Sequence, residues 1–529
     1  MREFNTTGIC VPNMHYMVDI SEKVEKIYQL VDDGCYFTIN RGHQYGKTTT
    51  IGRLQKRLND DGNYFCIIIS FQYYTDKMFA DEEGFCQGLL SRIHRALSLE
   101  HKEEAKLWLD ESVTDLRKLS KLITKRCTGK KIVLIVDESD EASYSYIFVQ
   151  FLKLLRGKYL YRTEGKDFTF HSVIFAGVND IKNLPQNTVI TIGDNEIIMR
   201  SPWNIATDFD IDMSFSAKEI ETMLVEYEKD NHTGMNISEI AQEIRDYTSG
   251  YPYLVSKLCW LIETDLGRNW TLDGVKDAVK LILIEQSTLF NVLFTIIEEN
   301  KEFSNLMYGL AVIRMYYPCD VYEPTMRLGL MFSFLSSNTN GLIIHNRIFE
   351  IRIADYFVAK NLRQWREREI IQSPAYEIIR DSVFNMEKCL TQFREHYEEI
   401  YTEKDLKFLE RDGKLIFLTY LKSLIKSKGF YHFEPQSREH GRIDLVVYYL
   451  KQQFIIEMKL WYGDKRHEEA YGQLAGYLKS KNKDRGYLLT FDFRKKPDEK
   501  ITESQWIEWD GKQIFDVILN VVPHHREKK

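Results

Sequence analysis

Tyr36-Phe37-Thr38-Ile39-Asn40-Arg41-Gly42-His43-Gln44-Tyr45-Gly46-Lys47-Thr48-Thr49-Thr50 reads as an apolar strand that runs into a glycine-lysine-threonine turn and then into a helical pattern. That is the context a phosphate-binding loop requires. Backbone N–H groups at the start of the helix would cradle phosphates, Lys47 would reach the β and γ groups, and the Thr48 hydroxyl would ligate Mg²⁺. Gly42, Tyr45, Gly46, Lys47, Thr48 and Thr49 are therefore the nucleotide-binding candidates of this segment. One position departs from the G-x-x-x-x-G-K-[ST] pattern: the first glycine falls at Arg41, and the available glycine, Gly42, comes one residue late.

Downstream, Lys131-Ile132-Val133-Leu134-Ile135-Val136-Asp137-Glu138 is a β-branched apolar strand ending in two acids. It looks like a Walker B segment. Asp137 would hold the Mg²⁺ shell and Glu138 would polarise the attacking water, the division of labour that phosphoryl transfer needs. A buried strand capped by solvated acids is the alternative. The strand Ser172-Val173-Ile174-Phe175-Ala176-Gly177-Val178-Asn179-Asp180 ends in a polar residue where a γ-phosphate sensor would sit, which nominates Asn179. Arg200 is a further arginine that would sense nucleotide or act on a neighbouring copy, against the simpler reading of a surface residue.

A second constellation lies near the C-terminus. Arg442-Ile443-Asp444 opens one apolar segment, Lys451-Gln452-Gln453 makes a polar turn, and Phe454 to Leu460 returns with Glu457 and Lys459. Glu457 and Lys459 are two apart, so the strand period puts both on one face, where Asp444 meets them across a hairpin. Two hard carboxylates suit Mg²⁺ or Mn²⁺, and a lysine beside the metal would position water or stabilise charge on phosphorus. Ordinary solvent-facing charges on a hairpin are the bland alternative. Arg466 to Leu478 then reads as a helix placing Gln473 and Tyr477 on one face.

With these residues in view, the last hundred or so residues resemble the PD-(D/E)XK nuclease superfamily, and Gln473-x-x-x-Tyr477 resembles the extra motif of its RecB-like and Cas4-like branches. The resemblance implies that Asp444 and Glu457 are metal ligands, that Lys459 is the catalytic lysine, and that Gln473 and Tyr477 orient the lysine or the DNA backbone. Glu434 would supply a further ligand. Ile443 stands where the eponymous proline would be. Phe4-Asn5-Thr6-Thr7-Gly8, His15-Tyr16-Met17-Val18-Asp19, the Gly46-Lys47-Thr48 loop and the acidic strand together resemble bacterial AAA-ATPase-like proteins, many of which end in a PD-(D/E)XK domain. Thr248-Ser249-Gly250-Tyr251-Pro252-Tyr253 resembles the lid turn of signal-transducing and origin-binding ATPases, which implies a proline approaching the nucleotide.

Composition bounds the alternatives. The chain of 529 residues is 44% hydrophobic and 28% charged, the profile of a globular protein. At ~150 residues per domain it has room for about three domains. No apolar run is long enough to cross a membrane, and the start lacks the apolar core of a secretory signal. Eight cysteines are scattered without Cys-x-x-Cys pairs, so neither disulfides nor zinc is expected and the cytoplasm is the expected compartment. The net charge of −7 does not advertise nucleic-acid binding. A local basic patch is nonetheless present at Lys465, Arg466, Lys479, Lys481, Lys483, Arg485, Arg494, Lys495 and Lys496.

The expected organisation is α/β: a P-loop NTPase core over 1–210, a helical lid over 211–285 begun by a Ser216/Glu219 capping box, and a winged-helix-like module over 286–358. A helical connector over 359–412 and a restriction-endonuclease-like α/β domain over 413–529 complete it. The winged-helix reading rests on a hairpin with arms Phe332–Leu335 and Gly341–Ile344 around the turn 336–340. The functional expectation is an ATP-binding and ATP-hydrolysing protein coupled to a Mg²⁺-dependent DNA nuclease, with DNA favoured over RNA, no membrane partner, and a homo-oligomer compatible with it. Defence or mobile-element biology enters by family analogy alone. The rivals are a nucleotide-regulated DNA binder and a protein-remodelling ATPase, each with a nuclease-like domain that does not cleave.

Overall fold

Strand β1 (Tyr36–Asn40) is buried along nearly its whole length, as are β3 (Lys131–Asp137) and β4 (Ser172–Gly177), while β2 (Tyr64–Ser70) alternates more. Continuous apolar runs of this kind belong to a parallel sheet covered on both faces. In the computed structural model these strands form a parallel sheet in the order β1-β4-β3-β2. The structure describes residues 2–99, 101–142, 145–179, 181, 189–192, 195–198, 201–339, 341–367, 378–400, 410–426, 428–433, 444–461, 463–492 and 504–520.

Internal contacts divide the chain into two units, Met1–Leu293 with Asp320–Ser336, and Phe294–Cys319 with Ser337–Lys529. In the first unit, insertion of β4 between β1 and β3 aligns Asn40 with Gly177, and Ser70 lies opposite Asp137. The ends of β1, β4 and β3 therefore share one edge of the sheet. The helices Glu82–Leu97, Leu116–Cys127 and Tyr146–Thr163 cover a core that includes Tyr36, Phe85, Trp108, Phe151, Phe175 and Trp203. A short antiparallel pair, β5 (Val189–Ile192) and β6 (Asn195–Ile198), follows. Four helices then run Ala217–Asn231, Ile237–Thr248, Pro252–Thr264 and Leu272–Ile284. The first starts on the reciprocal Ser216/Glu219 capping box.

The helix Pro324–Met331 belongs to the same unit, and its end differs from the sequence expectation. Phe332 and Ser333 were expected to open the hairpin, but they close the helix: their N–H groups donate to Leu328 and Leu330, and Ser333 takes φ 57°. Unsatisfied carbonyls at a helix C-terminus favour such a turn over extended backbone. The strand β7 consequently begins at Leu335 and runs to Asn338, ahead of β8 (Gly341–Ile344).

In the second unit, Lys301–Tyr308 continues into a π-turn at Gly309–Ile313, which packs with the helices Arg347–Glu367 and Glu410–Ile425. The stretch expected as one winged-helix-like module therefore contributes to both units, because these packing partners lie beyond it in sequence. The connector is not wholly helical either. Strands β9 (Ile379–Arg380) and β10 (Val383–Phe384) form a hairpin inside it, turned at Asp381 and Ser382 with φ 52° and 65°. Two consecutive left-handed residues give the turn that a tight hairpin needs, and Asp-Ser signals it far less clearly than Asn-Gly. The main sheet follows in the order β11-β12-β13-β14-β16-β15. Its strands are β11 (Gly429–His432), β12 (Leu445–Tyr449), β13 (Gln452–Leu460), β14 (Arg485–Asp492), β15 (Gln505–Trp509) and β16 (Lys512–Asn520). β11, β12 and β13 are antiparallel neighbours, whereas β13, β14 and β16 run parallel. The crossover from β13 to β14 is the helix Asp464–Ser480, which buries Ala470, Leu474 and Leu478 against Val446, Ile455, Leu488 and Ile514.

Among the described residues no single helix is long and apolar enough to cross a membrane. Among those residues one bent pair, Leu272–Ile284 and Thr288–Glu299, reaches the length and composition together, at 53° to each other, and the first of these buries Val275, Val279 and Ile282 as core. The eight cysteines are all free thiols.

Candidate functional site

Helix Lys47–Asp61 begins directly after β1, with Gly46 at its N-cap in the left-handed region at φ 77°. Glycine takes that conformation without the steric cost a side chain carries. Lys47 is buried, and its Nζ donates to the carbonyls of Arg41 and Gly42, each at 3.0 Å. Burial draws its pKa down, against the opposing pull of Glu138, Asp140 and Asp137. The late glycine of the loop has a steric explanation. A Cβ at Gly42 would lie 2.2 Å from the Phe332 carbonyl oxygen, and the Gly42 N–H donates to Ser333 Oγ at 3.0 Å. Arg41 is tolerated at the preceding position because its guanidinium donates away from the loop centre, to the carbonyls of Asn40 at 2.8 Å and Ile211 at 3.0 Å.

The Thr48 hydroxyl donates to Asp137 Oδ2 at 2.8 Å, so a helix-start hydroxyl and a strand-end carboxylate meet at the sheet edge. Two hard oxygens beside a loop of backbone amides fit the coordination Mg²⁺ prefers, one or two protein oxygens with water and phosphate completing the shell. Glu138 leaves the strand in the left-handed region at φ 51°, with its N–H on Asp137 Oδ1. Strained backbone of this sort gathers at functional sites. Asn179 follows β4, and its N–H donates to Asp140 Oδ1 at 2.5 Å. Arg200 lies outside the described residues.

Beside the loop opens a cavity of about 150 Å³ walled by Asn5–Gly8, Tyr16, Val18, Tyr45, Gly46, Thr49, Phe215, Pro252 and Tyr253. The lining is mostly apolar. Tyr45 is buried edge-on against Tyr251, and Tyr251 donates to the His43 carbonyl, which ties the lid turn to the loop. Pro252 starts the third lid helix and comes within 3.7 Å of where a Gly46 Cβ would be. The turn before it requires Gly250, whose φ is 73° and whose Cβ would collide with the Phe215 carbonyl at 2.0 Å.

The second unit holds a cavity of about 370 Å³ lined by Arg314, Lys414, Asp444, Lys459, Arg466, His467 and Gln473, among others. Register pairs Leu445 with Ile456, which sets Asp444 beside Glu457. The two acids interlock: the Asp444 N–H donates to Glu457 Oε2 at 3.2 Å, and the Met458 N–H donates to Asp444 Oδ2 at 3.0 Å. Lys459 Nζ lies 2.6 Å from Glu457 Oε1, and Lys414 Nζ donates to Asp444 Oδ1 at 2.8 Å. Burial and the neighbouring Asp444 charge push Glu457 up to about 7, with Lys459 opposing. Burial also acts to raise Asp444, but Lys414 and Lys459 outweigh it and hold that carboxyl below its ordinary value. The pair thus keeps its proton on the more enclosed carboxylate. Paired carboxylate oxygens already facing cationic groups fit a hard divalent ion, although among the described residues no group of three His, Cys, Asp or Glu converges.

Gln473 lines this cavity, whereas Tyr477 is buried in the core under the sheet-covering helix. Four residues along a helix turn the side chain by about 40°, and the edge of the buried stripe falls between them. Glu434 lies outside the described residues, as do Arg442, Ile443 and the basic residues Arg494, Lys495 and Lys496. Of the described basic residues, Arg466 faces the cavity, while Lys479 pairs with Asp510. His467 Nε2 lies 2.9 Å from Asp516 Oδ2, which also accepts from the Tyr471 hydroxyl at 2.7 Å.

Residues 11–267 match the family described as an AAA-like domain. Over that stretch the chain is similar to AAA-like domains. An uncharacterized WD repeat-containing protein of Synechocystis sp. (strain ATCC 27184 / PCC 6803 / Kazusa) is 24% identical over 226 residues, covering 41% of this chain and 18% of the relative. The chain therefore matches less than a fifth of that relative's length. Among solved structures, the Walker-type ATPase Paby2304 of Pyrococcus abyssi is 12% identical with a TM-score of 0.46, over 66% of this chain and 99% of that one. Cdc6p from Pyrobaculum aerophilum is 15% identical with a TM-score of 0.33, over 67% and 88%.

In the AAA-like domain, sequence reasoning found the loop and the acidic strand but not the walls of the adjoining cavity. Asn5–Gly8 carried a family signal without a role, whereas Pro252 was expected near the nucleotide by resemblance. Lys414 and the His467–Asp516 pair in the second unit went unnoticed, since neither belongs to a recognisable local motif.

Proposed function

We propose that this chain binds and hydrolyses ATP in its AAA-like domain and that its second unit is a PD-(D/E)XK-type, Mg²⁺-dependent phosphodiesterase acting on DNA. The observation that carries the nuclease half is the interlocked Asp444–Glu457 pair with two lysines at the wall of one cavity. In the AAA-like domain, the loop amides receive the phosphates and Lys47 exchanges its two carbonyl partners for phosphate oxygens. Thr48 and Asp137 hold Mg²⁺, Glu138 orients the attacking water, and Asn179 reports the terminal phosphate. The apolar cavity beyond Gly46 accepts the flat, weakly polar base, closed on one side by Pro252 and Tyr253.

In the second unit Asp444 and Glu457 would hold the divalent ion, which when bound supplies charge neutralisation and a water of lowered pKa. Lys459 positions that water and stabilises charge on the phosphoryl group. Gln473 and Arg466 orient the DNA backbone from the cavity wall. Glu434 is a candidate further ligand.

Cleavage of linear, circular and single-stranded DNA with Mg²⁺ or Mn²⁺ tests this, comparing wild type with Lys459→Ala. Cutting that vanishes in the variant is the expected result. Chelator-insensitive DNA binding without cutting would replace the proposal with a nucleotide-regulated binder. ATP hydrolysis without any nucleic-acid binding would point instead to action on a protein partner.

A further inference from the structure

Each acid of the second site has one carboxylate oxygen on a backbone N–H and the other within ion-pair distance of a lysine. Asp444 has Lys414 and Glu457 has Lys459. Both acids face lysines, so a divalent ion entering the set must displace cationic charge to bind well. Lys459 sits on the same strand as Glu457, two residues away, and moves only with its own side chain. Lys414 arrives from elsewhere, on the helix Glu410–Ile425. It is brought there by a close approach: a Cβ at the preceding Gly413 would lie 2.9 Å from the Phe491 ring, so only glycine lets the helix come this near to β14. The Lys414 side chain is 20% exposed and Asp444 8%, so their ion pair is screened little by solvent and is worth displacing only to a stronger cation.

Resting on the reading of Asp444 and Glu457 as metal ligands, we infer that Lys414 is a built-in counter-ion of the metal site, which the incoming divalent ion displaces from Asp444. Lys414 thereby sets the metal concentration at which the site loads. Without it, the carboxylate pair would load at lower metal concentration. With it, the site is held closed and ordered until metal is available, and the released ammonium remains at the cavity wall.

The test is Mn²⁺ binding to the full-length protein, followed by calorimetry and by water-proton relaxation without DNA, for wild type, Lys414→Gln, Lys414→Met and Lys414→Arg. Removing an opposite charge in contact with a carboxylate changes its affinity for a cation by about tenfold or more. Lys414→Gln and Lys414→Met should therefore bind Mn²⁺ about tenfold tighter than wild type, and Lys414→Arg should stay near wild type. The Met variant keeps the apolar stem should Gln disturb the helix. Equal Mn²⁺ affinity in wild type and the two neutral variants would overturn the inference while leaving the nuclease reading intact. Failure of wild type to bind Mn²⁺, together with failure to cut DNA, would overturn both.

Discussion

Substituting Gly42 by alanine tests why this loop departs from the usual spacing of glycines. Gly42 is absent from the left-handed region, so its backbone would suit any residue. The obstacle is space: the new Cβ would lie 2.2 Å from the Phe332 carbonyl oxygen and 2.9 Å from its carbon. That is more than about 1 Å inside ordinary van der Waals contact. The colliding atoms are backbone, held by the helix-ending bonds of Phe332 and Ser333, so no rotamer change relieves them. Overpacking of this kind costs ~1–3 kcal/mol. The loop must yield, and with it the Gly42 and Arg41 carbonyls that seat Lys47. Gly42→Ala should therefore weaken binding of a fluorescent ATP analogue by roughly tenfold and lower the melting temperature of the protein. Ser333→Ala, which removes only the hydroxyl on the Gly42 N–H, should cost about 1 kcal/mol of stability and disturb affinity less. Wild-type affinity and melting in Gly42→Ala would refute the steric account of this glycine.

Further outcomes follow from the same geometry. Lys47→Ala should abolish ATP binding, measured by the same titration; retained binding would remove the lysine from the phosphate site. Glu138→Gln should bind ATP normally and hydrolyse it at least about a hundredfold more slowly, read by phosphate release; equal turnover would remove Glu138 from its role. The raised pKa of Glu457 means that the folded form holds a proton that the unfolded chain gives up near pH ~4.3. This contribution to stability is fully present below that pH and lost as pH rises through about 7. Metal-free protein should thus melt progressively lower across that window, and Glu457→Gln should flatten the trend; an unchanged slope would contradict the assignment.

Legibility in the sequence followed locality. The loop and the acidic strand could be read because each confines its chemistry to one strand and the turn after it, with the apolar run supplying the buried context. Asp444, Glu457 and Lys459 were legible for the same reason, since a hairpin makes cross-strand neighbours out of near neighbours in sequence. What escaped notice was long-range. Gly42 is answered by Ser333, 291 residues downstream. Lys414 reaches Asp444 from a helix 30 residues upstream, and nothing in Asp412-Gly413-Lys414-Leu415 announces it. The division between units was equally hidden, because the π-turn at Gly309–Ile313 finds its packing partners a hundred residues on, in Glu410–Ile425. Tyr477 shows the limit of spacing rules within one helix: its distance from Gln473 in sequence places it near the same face, but burial of the stripe under the sheet decides which of the two meets the cavity.

The sequence-based expectation that ATP and cleavage are coupled is tested most directly, together with both proposed sites, by DNA cleavage by the full-length protein with Mn²⁺, with and without ATP, in wild type, Lys47→Ala and Lys459→Ala. The account predicts that wild type cuts at a rate that ATP changes, that Lys47→Ala cuts at a rate ATP does not change, and that Lys459→Ala does not cut. Cleavage by wild type that is the same with and without ATP would contradict it.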